Sequence, residues 1–394
     1  MSARVLFYVQ HLLGVGHLRR AAVLTREMAK RGLKVTLVCG GFPIRDLDLE
    51  GVTLAQLPPL RSRDETFREL IDEEGRLVDD AWRNHRRDLL LEILAKVKPH
   101  ALGIEMFPFG RRKLAFELIP LLETARVSEP RPWIFCSVRD VLNFPRKPNR
   151  AAEAVARVHS WFDRVLVHGD ENLIGFEESF PLADEIASYI DYTGYVGGQA
   201  VSRAGAGHPG WNEVVVSAGG SALGVELFRA AVAARPLSSL AKHTWRVLGG
   251  THLPTNSLKR LIERAPSGVI VEPSRSDFRD VLANCAVSVS QGGYNTIMDL
   301  FATSVRAVVL PFVGVGETEQ DFRAQRLEQH GLVRRLEADK LSPLNLAKAV
   351  DEVALAPPPP PVTINISGAE RTAELVFNAA AHGRSIVLPR KQSE

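Results

Sequence analysis

Two glycine-rich turns carry the groups in this chain best suited to chemistry. Gly14, Val15, Gly16 and His17 follow an apolar run at residues 5–9, and Ser290, Gln291, Gly292, Gly293, Tyr294 and Asn295 follow another at residues 286–289. Each turn leads into a helical pattern. A glycine turn feeding a helix N-terminus brings bare backbone N–H groups and the positive end of the helix dipole to an anionic ligand. His17 adds a ring that, with an ordinary pKa near neutrality, can take a proton from an attacking hydroxyl. The competing reading makes His17 a helix-end residue that caps its own backbone.

Further groups fall where strands of an open α/β sheet end, the side on which such sheets bind ligands. Gly219, Gly220 and Ser221 form a tight turn into a helix and are expected to meet a phosphate. Arg275 and its neighbours Glu272, Pro273, Ser274 and Ser276 follow a strand and could present backbone groups to a base edge. Asp299 lies four residues beyond Asn295, one helical turn up the same face, where a carboxylate can accept two hydroxyl hydrogen bonds from a ribose. The loop at residues 311–325 supplies Gly314, Gly316, Glu317, Glu319 and Gln320, a cluster suited to a sugar. In the first half, Glu105, the pair Arg139 and Asp140, and the pair His168 and Asp170 end strands on one side. Asp140 is expected to orient His17 or to bind a second substrate. Against this stand a local Arg139–Asp140 ion pair and a Glu105 that caps the helix near Arg111. Asp46 and Asp48 have the Asp-x-Asp form of a metal site, but they lie in a charged turn beside Pro43, so no metal site is expected.

The elements that must hold these groups alternate. Strands are expected at residues 4–10, 34–38, 52–57, 101–104, 133–138 and 164–167, with helices at 18–31, 79–98, 114–122 and around 151–161. Leu18, Ala21, Ala22, Thr25, Met28 and Ala29 recur at helical spacing, and Gly32 stops that helix. The charged stretch 61–74 reads as an exposed loop or lid. In the second half strands are expected at 214–217, 245–248, 269–271, 286–289 and 307–310. The expected fold is α/β, two Rossmann-like doubly wound parallel-sheet domains facing a shared cleft. The domains are read as residues 1–195 and 211–356, joined by a linker at 196–210. Five prolines at 357–361 form a stiff spacer to a last helix near 369–381, expected to pack back on the first domain.

Composition fits this organisation. The chain has 394 residues, 45% of them hydrophobic and 24% charged, which is too long for one ordinary core. The formal net charge is only +3 with both signs interspersed, so no nucleic-acid partner is expected. Arg111, Arg112, Lys113, Arg146, Lys147 and Arg150 read as solvated loop ends, with weak contact to a phosphate or an acidic membrane surface as the alternative. No run approaches the ~18 apolar residues of a membrane span, and the N-terminus enters a strand without a signal pattern. Cys39, Cys136 and Cys285 are odd in number and set in apolar runs, which suggests buried thiols and a cytoplasmic setting. Trp82, Trp133, Trp161, Trp211 and Trp245 read as core, with Trp82 on a charged helix the exception.

Together, in this order, the second-half motifs resemble the donor-binding domain of GT-B glycosyltransferases. The resemblance is in particular to the bacterial peptidoglycan-precursor N-acetylglucosaminyltransferase and its family 28 relatives. It is continuous from Asp277 to about Gly331, with Ser290-Gln-Gly-Gly-Tyr-Asn-Thr-Ile-Met-Asp299 standing where that family has its glycine turn and ribose-binding acid. Asp299 replaces the family's glutamate, one methylene longer. Gln320 matches a sugar-contacting glutamine, while Glu319 stands where a second glutamine is usual. Gly219-Gly220-Ser221 looks like the diphosphate loop. Gly14-Val15-Gly16-His17 is similar to the family's loop near the acceptor, which implies that Gly14, Gly16, Arg20, Glu105 and Arg139 lie on the acceptor side. The resemblance implies a hexosyltransferase-type enzyme that moves a sugar from a UDP-linked donor to a hydroxyl or amine with inversion. His17 and Asp140 would be its catalytic pair, and neither cofactor nor metal would be needed. The run Gly14-x-Gly-His17-x-x-Arg20 also resembles UDP-sugar hydrolases of pseudaminic acid synthesis, so a nucleotide-sugar hydrolase is the alternative. A non-catalytic sugar-nucleotide-binding subunit is a third reading.

Overall fold

The computed structural model describes the chain except for residues 1, 13, 45–46, 65–67, 144–147, 198–199, 219–222, 250–254, 313–317, 358, 360–363 and 383–394. It divides into two compact units, one of Met1–Val196 with Ser367–Glu394 and one of Gly197–Ile366.

The first unit opens with β1 (Arg4–Val9), α1 (Gly16–Lys30), β2 (Lys34–Cys39) and β3 (Val52–Gln56). A short antiparallel pair follows, β4 (Arg61–Ser62) with β5 (Leu70–Ile71), and then α2 (Asp80–Val97). The unit continues through β6 (Ala101–Glu105), α3 (Ala115–Val127), β7 (Trp133–Arg139), α4 (Pro148–Trp161), β8 (Arg164–His168) and β9 (Ile190–Tyr192). Its main sheet is parallel, in the order β3-β2-β1-β6-β7-β8-β9. The middle of such a sheet is covered on both faces, so inner strands such as β1 and β6 are almost wholly buried. In β1, Leu6 and Tyr8 enter one core while Val5, Phe7 and Val9 enter the other, the alternation a pleated strand imposes. Each fully buried residue of this kind contributes about 1.5–3 kcal/mol.

The α1 helix ends at Gly32, whose φ of +86° turns the chain into β2. There the Gly32 N–H donates to the Ala29 carbonyl at 2.9 Å and the Leu33 N–H to that of Met28 at 3.3 Å, satisfying carbonyls the helix leaves open. Asp79 caps α2, its carboxylate accepting from the Trp82 N–H at 2.8 Å.

The second unit contains β10 (Val214–Ala218), α5 (Leu223–Ala234), β11 (Trp245–Gly249), α6 (Thr255–Glu263), β12 (Val269–Pro273) and α7 (Phe278–Asn284). It continues with β13 (Val287–Gln291), α8 (Tyr294–Thr303), β14 (Ala307–Leu310), α9 (Glu319–Gln329), β15 (Arg334–Arg335) and α10 (Pro343–Leu355). This sheet is also parallel, in the order β12-β11-β10-β13-β14-β15. The last helix, α11 (Gly368–His382), belongs to the first unit. Its Ala369, Ala373, Val376 and Ala380 share a core with Leu18, Ala21 and Met28 of α1.

Several expectations are corrected. The stretch 61–74 is not simply an exposed loop: Leu70 and Ile71 are buried in β5, and Leu70 joins the main core because its apolar side chain is excluded from water. Trp211 is 38% exposed beneath the Arg203 guanidinium rather than core. Trp82, read as the exception, packs partly buried on the first core with Arg86 over its ring. Residues 201–212 are tied to the second unit, with the Val201 N–H on the Ala302 carbonyl and the Ala204 N–H on Asn284 Oδ1, each at 2.8 Å. No helix among the described residues is long and apolar enough to cross a membrane.

Candidate functional site

Each sheet carries its third, second and first strands on one side and its later strands on the other. The chain reverses direction of travel across the sheet between β1 and β6, and again between β10 and β13. Loops leaving the carboxyl ends of such a strand pair splay apart, which opens a crevice. In the first unit those loops lead to His17, at the start of α1, and contain Glu105, the last residue of β6.

A buried network holds the β1 exit. Arg86 donates to Glu117 at 2.7 Å, to Gln10 Oε1 at 2.7 Å and to the Gly40 carbonyl at 2.9 Å. Gln10 in turn donates to the carbonyls of His11 at 2.7 Å and Leu60 at 3.0 Å. Arg86 and Glu117 are fully buried, so each requires the other and the turn is fixed from beneath.

His17 does not cap its helix: Val15 is the N-cap and no side chain bonds there. Instead His17 Nδ1 lies 2.6 Å from Glu105 Oε1, and its Nε2 lies 2.8 Å from Arg139 Nη2. A guanidinium only donates. Nε2 is therefore the acceptor, and Nδ1 carries the proton it donates to Glu105. Glu105 is 1% exposed and also accepts from Arg20 at 2.5 Å, with Arg111 3.9 Å from its other oxygen. Burial raises its pKa, but His17, Arg20 and Arg111 outweigh this and hold it down at about 2. Burial and then the Arg139 charge bring His17 down to about 3, with Glu105 offsetting only part. The ring is thus neutral at physiological pH, and the near-neutral pKa expected from sequence is corrected.

The carboxylate that orients His17 is Glu105, not Asp140. Glu105 is no helix cap either, because the turn at Arg112–Leu114 has no side-chain cap. Asp140 is fully buried beside Gly169, where an added Cβ would lie 2.7 Å from the Asp140 Cβ. Arg20 is not open to an acceptor: its side chain is 2% exposed and serves Glu105. Arg111, grouped with surface cations, is likewise turned inward, while Arg112 pairs with Glu153 and Lys113 donates to the Arg68 carbonyl. A side chain at Gly14 would meet open space, and Gly16 is the first residue of α1. His168 is a core histidine between Ser137 at 2.7 Å and Thr193 at 2.8 Å, its pKa pushed down by burial. Asp48 pairs with Arg26, and Asp46, Arg146 and Lys147 lie outside the described residues.

In the second unit the crevice between β10 and β13 is entered by Gly292 and Gly293. An added Cβ on Gly292 would lie 3.2 Å from Val309 Cγ1 and 3.5 Å from the Gln320 carbonyl, so close packing favours glycine. Gly293 is the N-cap of α8 without a side-chain cap bond, and a helix N-terminus of this kind suits an anion. Asn295 is exposed one turn below Asp299. Asp299 Oδ1 accepts from Arg279 Nε at 2.6 Å, and burial raises its pKa against that pairing. Arg279, on α7, was not picked out from sequence, since no local pattern links it to a residue on α8. Arg275 is engaged by Asp277 through two bonds of 2.7 Å and by Glu272 at 3.3 Å. Glu319 is buried and accepts from Arg323 at 2.8 Å, and Gln320 Oε1 accepts from the Phe312 N–H at 3.1 Å. These contacts stiffen the start of α9. Gly219, Gly220, Ser221, Gly314, Gly316 and Glu317 lie outside the described residues.

Residues 214–373 match the glycosyltransferase family 28 C-terminal domain. A search of curated proteins returns no match. Among solved structures, the chain is similar to CalG4, the calicheamicin glycosyltransferase, at 17% identity over 96% of this chain and 95% of that one, with a TM-score of 0.59. MurG of Acinetobacter baumannii shares 14% identity over 95% of this chain and 99% of its own, also with a TM-score of 0.59. The spinosyn rhamnosyltransferase SpnG in complex with thymidine diphosphate shares 14% over 96% of both chains, with a TM-score of 0.58. At these identities the structural likeness establishes the fold. The chain has the GT-B fold, its residues 214–373 match the family 28 C-terminal domain, and the two findings together support a glycosyltransferase.

Proposed function

We propose that this protein transfers a sugar from a nucleotide donor, UDP-linked, to an acceptor hydroxyl with inversion and without a metal. The single observation that carries the catalytic half is the contact of the buried Glu105 carboxylate with His17 Nδ1. It leaves Nε2 as the proton acceptor of a neutral imidazole. In the reaction the acceptor O–H proton passes to Nε2 and the oxygen bonds to the anomeric carbon. The bond from that carbon to the diphosphate oxygen breaks, and the nucleoside diphosphate leaves with the electron pair. Glu105 then faces the imidazolium and stabilises it.

The family 28 match supports the donor half. A diphosphate at the N-terminus of α8 would be met by backbone N–H groups, with Asp299 one turn further for a ribose. That SpnG binds thymidine diphosphate in one structure and its spinosyn aglycone in another is in line with one nucleotide and one acceptor. Cys39, Cys136 and Cys285 are all free and buried, as suits a cytoplasmic enzyme.

The test is incubation with UDP-, TDP- and GDP-sugars, following nucleotide release with and without a panel of alcohols and sugars. Release that depends on both a UDP-sugar and an acceptor is the expected result. Release at full rate in water alone would replace the transferase with a hydrolase, and no release with any donor would leave a binding subunit.

A further inference from the structure

Arg139 is the last residue of β7, and it sends Nη2 to His17 Nε2 at 2.8 Å. That contact occupies the lone pair through which the ring would act. We propose that Arg139 is a displaceable cap on His17, a positioning residue that holds the ring in its Nδ1–H form and withholds Nε2 from proton transfer until an acceptor hydroxyl takes its place. The inference rests on reading His17 as the base.

Protonating Nε2 with Arg139 in place would set an N–H donor against an N–H donor and a positive charge against a positive charge. Proton transfer therefore cannot be completed until the guanidinium moves. The other charged groups around the ring do not play this part. Glu105 from β6 lies on the opposite nitrogen, Arg20 from α1 is bound to Glu105, and Arg111 stands 3.9 Å from the second Glu105 oxygen. Asp140 follows Arg139 and is buried, and His168 from β8 is held between Ser137 and Thr193. The group in contact with the reacting nitrogen is the Arg139 guanidinium. After burial, its charge is also the largest influence keeping the ring unprotonated. A base capped in this way is idle towards stray water, which protects the donor from hydrolysis while no acceptor is bound.

The direct readout is NMR titration of ring-labelled histidine, with the His17 signal assigned by its loss in His17→Gln. In the unaltered protein the ring is expected to stay neutral down to about pH 3. Arg139→Met removes donor and charge together, and the midpoint is expected to rise by about one to three pH units. Arg139→Lys keeps the charge and is expected to hold the midpoint low; a rise there equal to that in the Met variant would assign the effect to packing and overturn the proposal. An unmoved midpoint in Arg139→Met overturns it as well. Should the Met variant not fold, Arg139→Gln, which keeps the shape and loses the charge, is read by the same criterion. As a second readout, nucleotide release without acceptor, relative to release with acceptor, is expected to rise about tenfold or more in Arg139→Met, within the range of general base effects; an unchanged ratio refutes the protective role. Failure of the base reading looks different: His17→Gln would then turn over normally whatever the titration of Arg139→Met shows.

Discussion

Glu105→Gln tests the first-unit site most severely, because one atom exchange removes the charge and keeps the shape. The carboxylate is 1% exposed and takes contacts from His17 at 2.6 Å and Arg20 at 2.5 Å, and Arg20 is itself 2% exposed. Removing one partner of such a buried pair costs about 3–5 kcal/mol, chiefly because the remaining charge loses its counter-charge. Against a typical domain stability of about 5–15 kcal/mol the variant should still fold, with a clearly lower urea midpoint. Arg139 still donates to Nε2, so the ring keeps its Nδ1–H form and can donate to the amide oxygen. What is lost is the negative charge that stabilises the imidazolium as the acceptor proton is taken. The comparable carboxylate-to-amide change in Ser-His-Asp triads costs about 10⁴-fold in turnover, so a loss of about 10² to 10⁴ in kcat is expected here. UDP affinity, measured by calorimetry on the same sample, should stay within about twofold, since the proposed nucleotide site is in the other unit and only a transition-state interaction is lost. Glu105→Asp keeps the charge and should recover part of both properties. Wild-type turnover and an unchanged urea midpoint in Glu105→Gln would refute the reasoning.

Three further outcomes are expected. Asp299→Asn should weaken UDP binding by about 1–3 kcal/mol, the scale of a lost hydrogen bond to a charged group; calorimetry showing unchanged affinity in a folded variant would confine Asp299 to its pairing with Arg279. Turnover should persist in EDTA, and a loss restored by Mg²⁺ or Mn²⁺ would bring back Asp46 and Asp48. Stability should fall on acidification through a depressed base. His17 has its pKa lowered from 6.5 to about 3, so between these values the unfolded chain binds a proton that the folded chain does not. Its contribution is present above about 6.5 and is lost towards pH 3 at up to about 1.4 kcal/mol per pH unit. Glu105, lowered from 4.5 to about 2, adds to the loss below about pH 4.5. Urea midpoints of His17→Gln should therefore vary less with pH between about 6 and 4 than those of the wild type, and parallel curves would contradict the assignment.

Much of the fold is legible because parallel strands buried on both faces are written as continuous β-branched runs. The stretches around Val5 and Val287 could hardly be anything else. Pieces whose existence depends on a neighbour were not legible. Ile190–Tyr192 and Arg334–Arg335 are short edge strands without a period of their own, and Leu70 and Ile71 were hidden in a charged stretch. The site divides in the same way. The turn bearing His17 is local and visible, whereas its partner lies 88 residues away. Asp140 and Glu105 are equally acidic strand ends in the sequence. Only the sheet order distinguishes them, since β6 is the neighbour of β1 and β7 is one strand further out. A 3-2-1-4-5-6 strand order singles out Glu105, because the crevice opens between the first and fourth strands. The charge pairs of the second unit, Arg279 with Asp299 and Arg323 with Glu319, alter how Asp299 and Glu319 can be offered to a ligand. The first pairing joins separate helices and leaves no mark in the sequence.

The central claim is that the His17 imidazole takes the acceptor proton. Its most direct measurement is single-turnover sugar transfer by His17→Ala and His17→Asn, with UDP affinity and thermal stability recorded on the same preparations. Both variants are expected to slow the chemical step by about 10² to 10⁴ while UDP binding is almost unchanged, because neither a methyl group nor an amide can accept the proton. An Asn variant that transfers sugar at the wild-type rate would contradict the claim, leaving His17 as a hydrogen-bonded support for Glu105 and Arg139.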